Sequence, residues 1–243
     1  MWWSNLFKNL SPASFFNFSF LPKYGSYFWK GIAYTLLLAV VSVLLAIIPA
    51  LLLAMMRLSK NKVVKGLSGA YIAVFRSTPL LVQLSIIYFG LFGAVSIPRI
   101  TILGFVDISR FIPGVVALAL NSSAYVAEIF RGGILAVDIG QTEASRSLGL
   151  NAWSTMRLVV LPQAIKNVLP ALANEIITMV KESSICSMLG MVELMFAAKT
   201  VASTTYISLG PYVVAAVIYF CINYPASKGI EAIERRMRRG DKQ

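Results

Sequence analysis

The chain has 243 residues, of which 58% are hydrophobic and only 13% charged, with a formal net charge of +12 and no histidine. A soluble domain carries about 25% charged residues, so this balance belongs to the membrane class. The missing histidine excludes a His-ligated metal and a His general base, and Cys186 and Cys221, both in apolar surroundings, read as small core residues rather than a disulfide framework.

The first 27 residues carry aromatics (Trp2, Trp3, Phe15, Phe16, Phe18, Phe20) but no continuous apolar stretch followed by an Ala-x-Ala-like site. They read as a segment lying at headgroup depth rather than as a cleaved signal peptide. Residues 31–56, 77–98 and 200–227 carry no charge, and each run exceeds the roughly 18 residues expected of a transmembrane candidate. The first span is expected at 28–56, with Pro49 as a kink. The second is expected at 69–95. In it Thr78 reads as an N-cap before Pro79, and Arg76 marks the cytoplasmic boundary. The third runs over 112–136 and holds a polar break at Asn121, Ser122 and Ser123. The fourth, 166–192, is interrupted by Glu175, Lys181 and Glu182; the fifth is 206–227. The expected fold is all-α, an integral membrane protein of five spans with a permease domain over 28–227 and a basic tail over 228–243.

The positive charge is distributed as a topology signal. Arg57, Lys60, Lys62, Lys65 and Arg76 fill one loop, Arg131, Arg146, Arg157 and Lys166 another, and Arg235, Arg236, Arg238 and Arg239 close the chain. Cytoplasmic loops collect lysine and arginine, so these segments face the cytoplasm, while the N-terminus and the loop 96–111 lie outside. No single basic face is needed to explain the charge, and no nucleic-acid partner is expected.

Between the third and fourth spans lies a polar segment. Asp138 can cap a helix starting at Ile139, with Gln141 at the capping-box position. The helix would end near Leu148 with Gly149 as a left-handed stop, and Asn151 can cap a second short helix that ends near Pro162. Such a bent pair suits docking: Glu143 exposed for an arginine, Ala144 for close approach, Leu148, Leu150 and Trp153 for apolar contact. The same pattern also fits an amphipathic hairpin resting on the bilayer.

Charges at membrane depth cost about 2.5–3.5 kcal/mol or more and need a partner or a wet cavity. Glu128 and Arg131 stand one helical turn apart and can pair. Lys181 and Glu182 are adjacent, so they point about 100° apart and cannot share one neighbour. A zwitterion needs a cation for its carboxylate and an acceptor for its ammonium. Lys181 or a helix N-terminus could supply the first, Glu182 or broken-helix carbonyls the second. The bland alternative is that these groups only bind helices together.

The loop sequence Gly140-Gln141-Thr142-Glu143-Ala144, with Gly149 and the later Leu161-Pro162-Gln163-Ala164, resembles the cytoplasmic coupling loop of ABC importer permeases. Phe75-Arg76-Ser77-Thr78-Pro79-Leu80-Leu81-Val82-Gln83, Ala124 through Ile134, and Lys181-Glu182-Ser183-Ser184-Ile185 look like the corresponding blocks of the polar amino-acid uptake family, in order over about residues 27–227. The chain departs from that family's pattern at Ser145, which replaces the second alanine of Glu-Ala-Ala, at Ser77 in place of a glycine, and at Glu182 and Ser183 in place of Asp and Thr.

The resemblance implies a type I importer in the bacterial cytoplasmic membrane. Two permease subunits, identical or related, form the pathway, and an extracytoplasmic amino-acid-binding protein delivers the substrate. Two separate ATPases carry ATP and Mg and dock on the loop residues Gln141, Glu143, Ala144, Ser145, Leu148, Gly149, Leu150 and Trp153. The implied pathway residues are Ser77, Thr78, Gln83, Asn121, Ser122, Glu128, Lys181, Glu182, Ser183 and Ser184. The chain lacks Gly-x-x-x-x-Gly-Lys-Ser/Thr, so it has no phosphate cradle of its own and is expected to bind no cofactor. A secondary transporter or channel for small polar solutes is the rival reading, and it requires an inert loop. An intramembrane enzyme would need a nucleophile or paired-acid motif that the sequence does not offer.

Overall fold

A computed structural model describes residues 17–239; most of the expected headgroup-depth segment, including Trp2, Trp3, Phe15 and Phe16, lies outside that range. Among the described residues eight helices and one small hairpin follow in order: α1 (Leu21–Leu58), α2 (Lys62–Ser77), α3 (Leu80–Leu91, π-helical over Ile86–Leu91), β1 (Thr101–Ile102), β2 (Val106–Asp107), α4 (Ile108–Leu135), α5 (Ile139–Ser147), α6 (Ala152–Leu189), α7 (Leu194–Thr205) and α8 (Gly210–Arg239). The two strands are antiparallel, with Thr101 opposite Asp107 and Ile102 opposite Val106.

Helices α1, α4 and α8 are each long and apolar enough to cross a membrane. The pairs α2–α3, bent by 106°, and α6–α7, bent by 46°, pass the same test when each pair is one span, which brings the number to five. The count of five spans therefore agrees with the sequence reading, while the boundaries move. The first helix starts at Leu21 rather than 28 and stays helical through Pro49. Span two is not a single rod over 69–95 but two helices meeting at Thr78–Pro79. Span four starts at Ala152, fourteen residues before the expected 166, because the second loop helix does not stop near Pro162. It widens into a π-helical stretch over Met156–Val160 and continues. Proline lacks an N–H and crowds the preceding turn, and a π segment is a recognised place to absorb such a defect.

Small residues decide the packing. Ala39, Ala46, Ala50 and Ala54 of α1 are buried, while Leu44, Leu45, Ile48, Leu51, Leu52 and Met55 on the other side of the same helix are exposed. The buried alanines let α1 lie close along α4, its most extensive contact, where Ala117, Ala124 and Ala127 are also fully buried. Without a hydrophobic drive between helices in lipid, close backbone approach supplies the contact energy. Gly133 does the same for α4 against α6, since a Cβ there would overlap Val168. The main core gathers Tyr34, Leu38, Leu84, Leu118, Met179, Cys186 and Met191. Cys186 is thus a core residue as expected, whereas Cys221 is exposed on α8.

Candidate functional site

Two polar regions stand out: the α5 loop at one end of the bundle and a joint in its middle. The loop is built by local caps. The Asp138 carboxylate accepts from Gly140 N at 2.7 Å and the Asn151 amide oxygen from Ser154 N at 2.8 Å. Gly149 adopts φ +86°, the left-handed stop expected of it. Gln141 does not close a capping box: its side-chain oxygen faces the Gln163 amide at 3.4 Å, tying α5 to α6. Ser145 is buried, its hydroxyl donating to the Gln141 carbonyl, so a serine replaces an alanine there without a polar group left open. Glu143 and Ala144 are exposed. Leu148 is 84% exposed and Trp153 71%, while Leu150 is half-buried. Leu148 and Trp153 both lie open at the bend, without apolar cover among the described residues.

The joint is where α2 ends and α3 begins. Pro79 forces the preceding residue toward an extended backbone, and Thr78 sits at φ −111°, ψ 147°. Thr78 is not the N-cap of α3: its hydroxyl donates back to the Val74 carbonyl at 2.8 Å, closing α2, and Pro79 occupies the cap position. The carbonyls freed by the break are collected by Gln83. Its amide nitrogen lies 2.8 Å from Phe75 O, 2.9 Å from Thr78 O and 2.8 Å from Thr78 Oγ1. The Gln83 oxygen in turn accepts from Asn121 Nδ2 at 2.8 Å, midway along α4.

The expected polar break at Asn121–Ser123 is therefore absent, because α4 is continuous there and its polar side chains reach sideways. Asn121 joins Gln83. Ser122 donates to Glu175 on α6 at 2.8 Å. Ser123 meets the Tyr71 hydroxyl of α2 at 2.9 Å. Buried polar groups in lipid must find such partners. Ser77 and Thr78 remain exposed at the joint.

The other pathway candidates fall in two places. Glu128 takes two hydrogen bonds from Arg131, at 2.9 Å and 2.7 Å, the pairing the sequence suggested. It also faces Arg57 Nε at 3.5 Å, an ion pair without hydrogen-bond alignment. Lys181 is exposed and Glu182 half-buried at the point where α6 tightens from α to 3₁₀. Ser183 and Ser184 donate to the carbonyls of Val180 and Lys181 within that tightened turn. The structure does not bring this group into contact with Ser77 or Glu128.

Sequence reasoning passed over Glu175, Tyr71 and Arg57 as partners, since their contacts span 53, 52 and 71 residues, respectively. It also passed over Glu193, fully buried. That carboxylate caps α7 through Met195 N and Phe196 N, at 2.7 Å and 2.6 Å, and takes the Tyr219 hydroxyl at 3.1 Å. An acid followed by two apolar residues and a helix was the available signal.

Over residues 42–239 the chain matches the family described as binding-protein-dependent transport system inner membrane component. The putative glutamine transport system permease protein GlnP of Rickettsia typhi is 40% identical over 86% of this chain and 91% of its own length. The arginine transport system permease protein ArtQ of Bacillus subtilis is 40% identical over 87% and 93%. A solved amino acid ABC transporter structure, described as having histidines, superposes with a TM-score of 0.82 at 45% identity, covering 90% of this chain and 98% of that one. The inward-facing MetNI methionine ABC transporter, at 18% identity and a TM-score of 0.61, covering 89% of this chain and 99% of its own, shares the fold.

Proposed function

The chain belongs to the binding-protein-dependent transport system inner membrane components, and on that premise we propose that it carries polar amino acids across the membrane as half of a permease pair. Family membership makes it a membrane-embedded permease subunit of an ABC importer rather than an enzyme or a free-standing secondary transporter. The amino-acid cargo is supported by relatives whose names specify glutamine and arginine.

The observation that carries the coupling reading is α5 with its flanks: a capped, water-facing helix presenting Glu143, Leu148 and Trp153 with no apolar cover among the described residues. Two separate ATPases bind ATP and Mg and dock there. Their closure moves α5, and α5 is fastened to α6 through Gln141 and Gln163, so motion passes directly into a span. An extracytoplasmic binding protein meets the opposite face, near the β1–β2 hairpin. The N-terminus is outside and the basic tail is cytoplasmic.

The pathway runs past the joint. Its exposed Ser77 and Thr78 lie beside the break between α2 and α3, where side-chain hydroxyls can meet a polar solute. Lys181, Glu182 and Ser184 form the second polar patch along it. The test is Glu143→Lys. Uptake and substrate-stimulated ATP hydrolysis fall at least tenfold while membrane insertion is retained; unchanged uptake would refute the coupling role.

A further inference from the structure

Charge on the α5 side of the bundle is out of balance. Arg57 of α1, Arg76 of α2 and Arg131 of α4 gather about one carboxylate, Glu128. Arg131 satisfies one oxygen of that carboxylate. The other oxygen and the Arg57 Nε are buried atoms without a hydrogen-bond partner. Beside this pair lies a cleft of about 450 Å³, walled by Arg57, Gly69, Arg76, Ser77, Tyr125 and Glu128.

Its construction favours an anion. Gly69 leaves room for the Arg57 guanidinium, which a Cβ would meet at 3.1 Å. Arg76 rests over the Tyr125 ring, 5.4 Å from its centre, so the cation is held in place on an apolar platform. Lys60, Lys62 and Lys65 are exposed on the adjoining turn. Neighbouring turns of the same helices expose Leu52, Met55, Val63 and Leu67. That combination places the cleft where headgroups give way to acyl chains.

We propose that this cleft between α1, α2 and α4 binds the phosphate of an anionic phospholipid from the cytoplasmic leaflet. Arginine suits phosphate by its forked donors, and basic pockets between membrane helices on this side are suited to such headgroups. The bound lipid neutralises the excess charge and braces α2 just before the joint at Thr78–Pro79. This site is independent of which solute the permease carries.

The experiment uses the transporter purified with its native partners from vesicles in which phosphatidylglycerol replaces phosphatidylcholine stepwise. Retained lipid is counted by native mass spectrometry. Wild type retains phosphatidylglycerol in preference to phosphatidylcholine. Arg76→Gln lowers that retention about fivefold, as expected for one cation near the membrane surface. Lys228→Gln, in the tail helix, leaves it unchanged. If Arg57→Gln fails to assemble, Arg76→Gln, whose side chain is exposed, still decides the matter. Equal retention of the two lipids, unaltered retention in Arg76→Gln, or displacement of the lipid by inorganic phosphate would overturn the proposal; the last outcome would assign the cleft to a free anion.

Discussion

The α5 loop and the α2–α3 joint are both polar, yet they are built in opposite ways. Hydrogen bonds within α5 and at the cap of α6 join residues two to four apart, and the loop leaves its large apolar side chains open. In the joint, Asn121 reaches Gln83 across 38 residues, and both side chains are buried. The Gln83–Asn121 network of the joint is closed within the chain, whereas the loop's large apolar side chains lack a cover among the described residues. Substitutions in the joint should therefore cost stability first, and substitutions in the loop should cost transport alone.

Gln83→Leu should have the largest structural effect. It removes the three bonds from the Gln83 amide and leaves the buried Asn121 amide only its long 3.4 Å bond to the Phe75 carbonyl, a loss of about 3 kcal/mol, read as a lower unfolding temperature in detergent. Glu193→Ala comes next. It removes the α7 cap and leaves the Tyr219 hydroxyl without its carboxylate, a cost of about 2 kcal/mol by the same measurement. A larger effect at Glu193 than at Gln83 would mean that the α6–α7 bend, not the α2–α3 joint, is the tighter of the two. Gly133→Leu, which drives a side chain into Val168, should cost about 1–3 kcal/mol. Leu148→Ser should change stability by less than about 0.5 kcal/mol while abolishing most uptake. A large stability loss there would erase the contrast between loop and joint.

The same contrast explains what the sequence revealed. Local signals were legible: the Asp138 and Asn151 caps, the Gly149 stop and the charge-free runs all depend on neighbours within a few residues. Pro79 announced a helix start, but the Thr78 hydroxyl had two possible carbonyl or amide partners and turned back to Val74 rather than forward. Asn121-Ser122-Ser123 read as a break because three polar residues in an apolar span are costly alone. Their partners on α3, α6 and α2 remove that cost, and no local pattern carries those distances. Pro162 read as a helix end because the π segment that accommodates it has no simple sequence mark.

The most direct test of the coupling surface is a cross-link. With Cys221 changed to serine and Leu148 to cysteine, the introduced thiol is the only exposed one among the described residues. In membranes holding the whole transporter, a short thiol-reactive cross-linker should join residue 148 to the separate ATPase subunit, and the yield should change when ATP is bound. A cysteine at 148 that reacts freely with a water-soluble probe but never joins the ATPase, with or without ATP, would contradict the assignment of α5 as the coupling helix.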